Sequence, residues 1–153
     1  MQIRTATDND AEKICRLFRD TIITVNSKDY NIEQIAAWSS RSADSERWIG
    51  KINDQYFIVS EYETTIIGFA SLTMSGYLDF MFVHKDHQGK GIASLLLKCL
   101  ENKAQELNIN QIMSDVSITA KPFFLSKGFV VITEQTVEVD SVPLTNFKMQ
   151  KEI

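Results

Sequence analysis

Between Tyr77 and Glu101 the chain passes from a strand-like run, YLDFMFV, through a loop containing HQGKG, into the leucine-rich IASLLLKCLE. That order, strand then short loop then long helix, restricts the fold more than any other stretch. Ala93, Leu96, Leu97, Leu100, Ala104 and Leu107 fall along one stripe of a helix, so this element buries one face in the core. The first N–H groups of a helix have no intrahelical acceptor, and the helix dipole adds partial positive charge there. Gly89 and Gly91 let the main chain approach a ligand closely, and Lys90 adds a full charge. Together they form a cradle for a phosphate or pyrophosphate. The plainer alternative is a tight turn in which the glycines serve geometry alone. Neither GxxxxGK[ST] nor GxGxxG is present.

The rest of the chain reads as one α/β domain over residues 1–153, with helices early and hairpins late. Gln2 to Thr5 form a short strand. Thr7 and Asp10 make a helix-capping pair before Ile14, Leu17, Phe18, Ile22 and Val25 recur at helical spacing. Asn31 to Trp38 and Ala43 to Ile49 read as short helices. Strands follow at Tyr56–Glu61, Thr65–Thr73 and Tyr77–His84, rich in β-branched and aromatic residues. After the long helix come a strand at Gln111–Ser117, a short helix at Ala120–Ser126, and closing strands at Val130–Val139 and Pro143–Gln150.

At 153 residues, 44% hydrophobic and 24% charged, the chain has material for one real core. A net charge of −4 disfavours phosphate backbones and anionic lipid, so neither nucleic acid nor membrane is an expected partner. The opening MQIRTATDNDAEKIC is charged and lacks an apolar signal segment. No apolar run approaches the roughly 20 residues that span a bilayer, so a cytoplasmic protein is expected. Cys15 and Cys99 sit at apolar helix positions and fit no paired or metal-binding spacing. His84 and His87 have no further histidine or cysteine to join them, so no metal site is expected.

Gln88-x-x-Gly91-x-Ala93 resembles the Q/R-x-x-G-x-G/A signature of the GNAT superfamily of N-acetyltransferases. Ser117-Ile-Thr-Ala120-Lys-Pro-Phe123-Phe124-Leu-Ser-Lys-Gly128-Phe129 is similar to the family's second block, often N-x-x-A-x-x-F-Y-x-x-x-G-F. The Ile3-Arg4 strand and the Asp10 cap resemble its usual beginning. Tyr30, Glu33-Gln34-Ile35-Ala36-Ala37-Trp38 and the tail from Val142 to Lys151 look like a bacterial subgroup with a Y…EQ-x-x-A-W element. The resemblance covers almost the whole chain. It implies an α/β (α+β) fold with a mixed, mostly antiparallel twisted sheet flanked by helices.

It also implies acetyl-CoA as cofactor and transfer of its acetyl group to a primary amine of a small molecule or peptide, by direct attack in a ternary complex. Gln88, Gly89, Lys90, Gly91, Ile92, Ala93 and Ser94 would hold the pyrophosphate. Met81, Phe82, Val83, Ser117 and Phe123 would line the path of the thioester and pantetheine arm. Tyr30 and Trp38, with Trp48, fall where relatives build the acceptor pocket, although aromatics at helical spacing more often fill a core. A neutral amine requires a proton acceptor, since a free alkylamine has a pKa of about 10.4. Strand alternation places Tyr77, Asp79, Met81 and Val83 on one face, which makes Asp79 the candidate base and Tyr77 its helper. A salt-bridged strand aspartate is the competing reading. Phe124 stands where many relatives carry a tyrosine thought to protonate the leaving thiolate, and phenylalanine has no proton to give. That departure leaves room for a rival, an acyl-CoA-binding sensor with little turnover. The exposed sheet edges common in this fold allow a homodimer.

Overall fold

The computed structural model describes residues 1–153. Strand β1 (Gln2–Thr5) enters helix α1 (Ala11–Thr24) through one 3₁₀ turn, followed by α2 (Ile32–Ser39) and α3 (Ser45–Asp54). Then come β2 (Tyr56–Tyr62), β3 (Thr65–Leu72), β4 (Leu78–Val83), α4 (Ile92–Glu106), β5 (Gln111–Ser117), α5 (Lys121–Ser126), β6 (Val130–Val139) and β7 (Val142–Glu152). The expected order of elements holds throughout. Helix α3 starts after Asp44, whose carboxylate caps it by accepting from the Arg47 N–H at 3.1 Å, and it runs past the expected end at Ile49 to Asp54.

Two antiparallel sheets result, one ordered β1-β2-β3-β4 and the other β5-β7-β6. They touch as parallel neighbours at a single bridge, Tyr77 to Met113, reinforced where Ser114 Oγ donates to the Leu78 carbonyl at 2.8 Å. Beyond that point β4 and β5 pair with nothing on their facing edges. On one face of the first sheet an aromatic core of Phe18, Trp48, Phe57, Phe69 and Phe80 packs beneath α1 and α3. On the other, α4 buries Leu96, Leu97 and Leu100 against Ile58, Leu72 and the second sheet's Ile112 and Met149. A Cβ on Gly68 would sit 3.0 Å from Ile92, which is why α4 lies so close to β3. Arg4 joins the first sheet to α1, donating to both oxygens of buried Asp10 at 2.8 and 2.9 Å and to Glu61 at 3.0 Å.

One expectation fails in β4. The register passes from Ser71–Phe80 directly to Leu72–Leu78, so Asp79 is an extra, bulged residue. The bulge sets Asp79 on the side of α3, where it contacts Lys51 and Gln55. Met81 and Val83 face α4 instead. Asp79 therefore does not share a face with Met81 and Val83, because the extra residue resets the alternation. Tyr77 lies outside the strand, at the end of the Thr73–Gly76 turn.

Candidate active site

Where β4 and β5 diverge they open a cleft of about 390 Å³. The backbone N–H of His84 donates to Ile67 on β3 at 2.8 Å, so alternation turns the main-chain groups of Met81 and Val83 away from β3 and into the splay. The Val83 carbonyl accepts from Thr21 Oγ1 at 3.1 Å and from Gln88 Nε2 at 2.7 Å. The glutamine of the signature thus fastens the loop to the end of β4 with its side chain. Gly91 caps the start of α4, and its φ of 82° lies in the left-handed region, as does the 72° of Gly89. A Cβ at either glycine would meet no protein atom within 4 Å.

The consecutive main-chain N–H groups of Gln88, Gly89, Lys90, Gly91, Ile92, Ala93 and Ser94 find no acceptor in the protein; the first backbone bond past them runs from Leu95 to Gly91. Orphan donors in such number need an external anion or water. An open concave row of amides at a helix start fits a pyrophosphate. The structure gathers Met81, Phe82, Val83, Gln88, Gly89, Gly91, Ile92, Ala93, Ser94, Ser117 and Phe123 around this cleft. The Lys90 side chain does not line it and is exposed, so only its amide belongs to the row. Thr21, Asn26 and His87 line the cleft as well and were not foreseen as ligand-facing. Burial, then Lys90 and His84, push the His87 imidazole below its ordinary pKa.

A second cavity, about 190 Å³, shares Phe82 with the first and is walled by aromatic rings. Tyr30 and Trp38 both line it, edge to face with centroids 5.4 Å apart. The Tyr30 hydroxyl donates to the Thr145 carbonyl at 2.8 Å and accepts from the Ile118 N–H at 2.9 Å. Gln34 closes the α2 capping box with Asn31 and donates to the Pro143 carbonyl at 2.9 Å. These bonds dock α2 on β7, which gives the Y…EQ-x-x-A-W residues a physical reason. Trp48 is different. It is stacked on Phe80 at 4.7 Å within the core and takes no part in the cavity.

Asp79 reaches this cavity, its side chain 17% exposed. Its Oδ2 accepts from Lys51 Nζ and from Gln55 Nε2, each at 2.8 Å, while Oδ1 has no protein partner. Tyr77 does not reach it. Its hydroxyl donates to Asp115 Oδ2 at 2.7 Å, and its ring lines a separate hollow with Gly76 and Met113. Burial and then that hydrogen bond raise the phenol well above its ordinary pKa, so it stays protonated near neutrality. Asp115 and Asn146, both overlooked, do line the cavity. Asp115 was legible in principle, since it stands two residues before Ser117 on the same face of β5.

The two cavities meet. Met81, Phe82, Ser117, Ala120 and Phe124 line both. A main-chain anion cradle that leads through such a junction into a side-chain pocket suits a reaction joining two ligands. The chain belongs to the GNAT family of acetyltransferases: the model of the acetyltransferase (GNAT) domain matches residues 26–151. The chain is 34% identical to the uncharacterized N-acetyltransferase YafP of Escherichia coli K12, over 98% of its own length and 95% of that protein. A GCN5-related N-acetyltransferase structure from Rhodopseudomonas palustris superposes with a TM-score of 0.96 at 27% identity, covering 99% of this chain and 95% of that one. The PaiA N-acetyltransferase of Thermoplasma acidophilum, in complex with coenzyme A, gives 0.83 at 21% identity, with coverage of 99% and 98%.

Proposed function

We propose that the protein transfers an acetyl group from acetyl-CoA to a primary amine by direct attack, with both substrates bound together. The shared wall of the two cavities carries this reading, because it lets a thioester from one side meet an amine from the other. The PaiA protein's complex with coenzyme A supports the choice of donor. Acetyl-CoA supplies an activated acyl group. The amides from Gln88 to Ser94 hold its diphosphate, and the Met81 and Val83 main-chain groups face its pantetheine arm and acyl end. An amide of β4 is the donor available to the negative charge that builds on the carbonyl oxygen, commonly the largest contribution in acyl transfer.

Asp79 Oδ1 is the free carboxylate oxygen on the acceptor side, and we assign it to take the amine proton, directly or through one water. Lys51 and Gln55 hold its other oxygen and so fix its direction. The amine nitrogen bonds the acyl carbon, the carbon–sulfur bond breaks, and the pair of electrons departs on sulfur. Ser117 Oγ accepts from the Ala120 N–H at 3.1 Å, which leaves its own proton free to hydrogen-bond that sulfur at the junction. A thiolate with a pKa near 8.5 leaves tolerably without full protonation, so Phe124 does not prevent the reaction.

Calorimetric titration with acetyl-CoA, paired with thiol release over a panel of amines, tests this. Micromolar binding with turnover of at least one amine is expected. Tight binding with no turnover on monoamines, diamines or peptide amines would replace the enzyme with a coenzyme A thioester sensor.

A further inference from the structure

Asp115, Ser117, Asn146 and Gln135 project from one face of the second sheet. Gln135, Asn146 and Ser117 form a cross-strand row, and Asp115 stands one pair further along β5. Asp115 accepts from Tyr77 at 2.7 Å and from Gln135 Nε2 at 2.8 Å. Both donors are neutral. Lys148, its cross-strand partner, makes no ion pair with it, and no lysine, arginine or histidine lines the acceptor cavity. Asp79 differs, since Lys51 neutralises it. The cavity therefore carries one carboxylate without an ion-pair partner, fixed in place by two hydrogen bonds, at its exposed end. Beside it Asn146 Oδ1 is withdrawn from solvent and has no donor in the protein. A buried acceptor left so is destabilising until a donor reaches it.

We infer that Asp115 and Asn146 form a subsite for a second, positively charged nitrogen of the acceptor, which makes the favoured substrate a diamine or other dication. This rests on the acetyl-transfer reading above and names its substrate class. Asp115 lies two strand residues from Ser117, so the subsite is roughly 7 Å from the junction, about the reach of a four-carbon diamine. The reacting amine sits by Asp79 and the junction, and the distal ammonium is held by Asp115, with a turn of the Asn146 carboxamide bringing its oxygen onto a second N–H. Aromatic walls from Tyr30, Trp38 and Phe82 cover the methylenes between, and ring faces favour the cationic ends. Tyr77 and Gln135 are positioning residues that aim the carboxylate.

The test compares 1,4-diaminobutane with 1-aminobutane, which share the reacting amine and differ in the distal charge. With acetyl-CoA, kcat/KM is expected to favour the diamine by at least about tenfold, the worth of a charged hydrogen bond. In Asp115→Asn the ratio should fall to within about twofold of unity, with KM carrying the change, and Asn146→Ala should lower it severalfold. Calorimetry of both amines in the presence of coenzyme A gives the same comparison without turnover. Equal affinities in the unaltered protein, or a preference that persists in Asp115→Asn, would overturn the subsite. Turnover of both amines without preference would spare acetyl transfer while sinking this inference. Asp115-dependent diamine binding without any turnover would do the reverse.

Discussion

The two cavities are built from different materials. The cofactor cleft is main chain: orphan amides, two glycines at positive φ and the divergent edge of β4. The acceptor cavity is side chain: six or so aromatic walls, two carboxylates and an unsatisfied amide oxygen. Main-chain donors are the same in every sequence, so a cleft made of them can be kept while the opposite wall is rewritten residue by residue. A diphosphate needs only donors and close approach. An amine has to be chosen, deprotonated and aimed. This contrast predicts that damage to one side should be separable from damage to the other.

The largest effect should come from Asp79→Asn. Removing a general base typically costs 10²–10⁴ in rate, and we expect kcat to fall about 300-fold. The calorimetric Kd for acetyl-CoA should stay within about twofold, because the bulged carboxylate faces the acceptor side. A turnover number unchanged across the pH range would remove Asp79 from the chemistry.

Gly91→Asp probes the other side. Its Cβ meets no protein atom, so the fold should survive at a strain of about 1–2 kcal/mol from the left-handed backbone. The carboxylate would stand among the amides that hold the diphosphate. Acetyl-CoA affinity should fall about 100-fold by titration, equivalent to roughly 2.7 kcal/mol. Retained affinity would mean that the diphosphate lies elsewhere and that the two-material contrast is mistaken.

Asp10 offers a control outside both cavities. Hydrogen bonds from Arg4, then from the Thr7 amide, hold its carboxyl below the usual carboxylate range despite burial. A depressed folded pKa contributes stability above the unfolded value, and that contribution is lost as pH falls through the folded one. Thermal melts should therefore show a drop in Tm below about pH 4 that Asp10→Asn flattens. At pH 7 the substitution should cost about 2 kcal/mol, several degrees in Tm, with Kd and kcat of the folded fraction intact. A change in acetyl-CoA affinity instead would tie the Arg4–Asp10–Glu61 hub to the site.

How much of this could be read from the residues follows the same division. The loop from Gln88 to Ala93 is local in sequence. Its glycines, helix start and flanking strand announce an anion cradle without knowledge of the rest of the fold. The order of strands and helices was equally plain from periodicity. Asp79 shows the limit. A period of two placed it with Met81 and Val83, and one bulged residue, set by pairing with β3, moved it to the side of α3. Tyr77 misled for a related reason, since the turn that precedes β4 claims its amide and a partner 38 residues away claims its hydroxyl. Asp115 and Asn146 gain meaning only where β5, β6 and β7 stand side by side. Trp38 and Trp48 look alike in sequence, and their fates were decided by which helix face meets the sheet.

Phe124 provides the finest test, because it lines both cavities while being 4% exposed. Its ring stands edge-on to Phe123 and Phe129, with centroids at 5.5 and 5.0 Å. Phe124→Tyr would add a phenol at the junction, where a proton donor to the departing sulfur would act. If departure is already easy at a thiolate pKa near 8.5, the gain in kcat should stay below about threefold. The added hydroxyl finds a partner only if it turns into the junction, so Tm reports its placement: an unpaired buried hydroxyl costs about 1–3 kcal/mol. A tenfold or greater rise in kcat with Tm unchanged would show that proton delivery to sulfur limits the reaction. The hydrogen bond assigned to Ser117 would then be too weak for its role, and the junction would have to be counted among the parts that side chains, not main chain, determine.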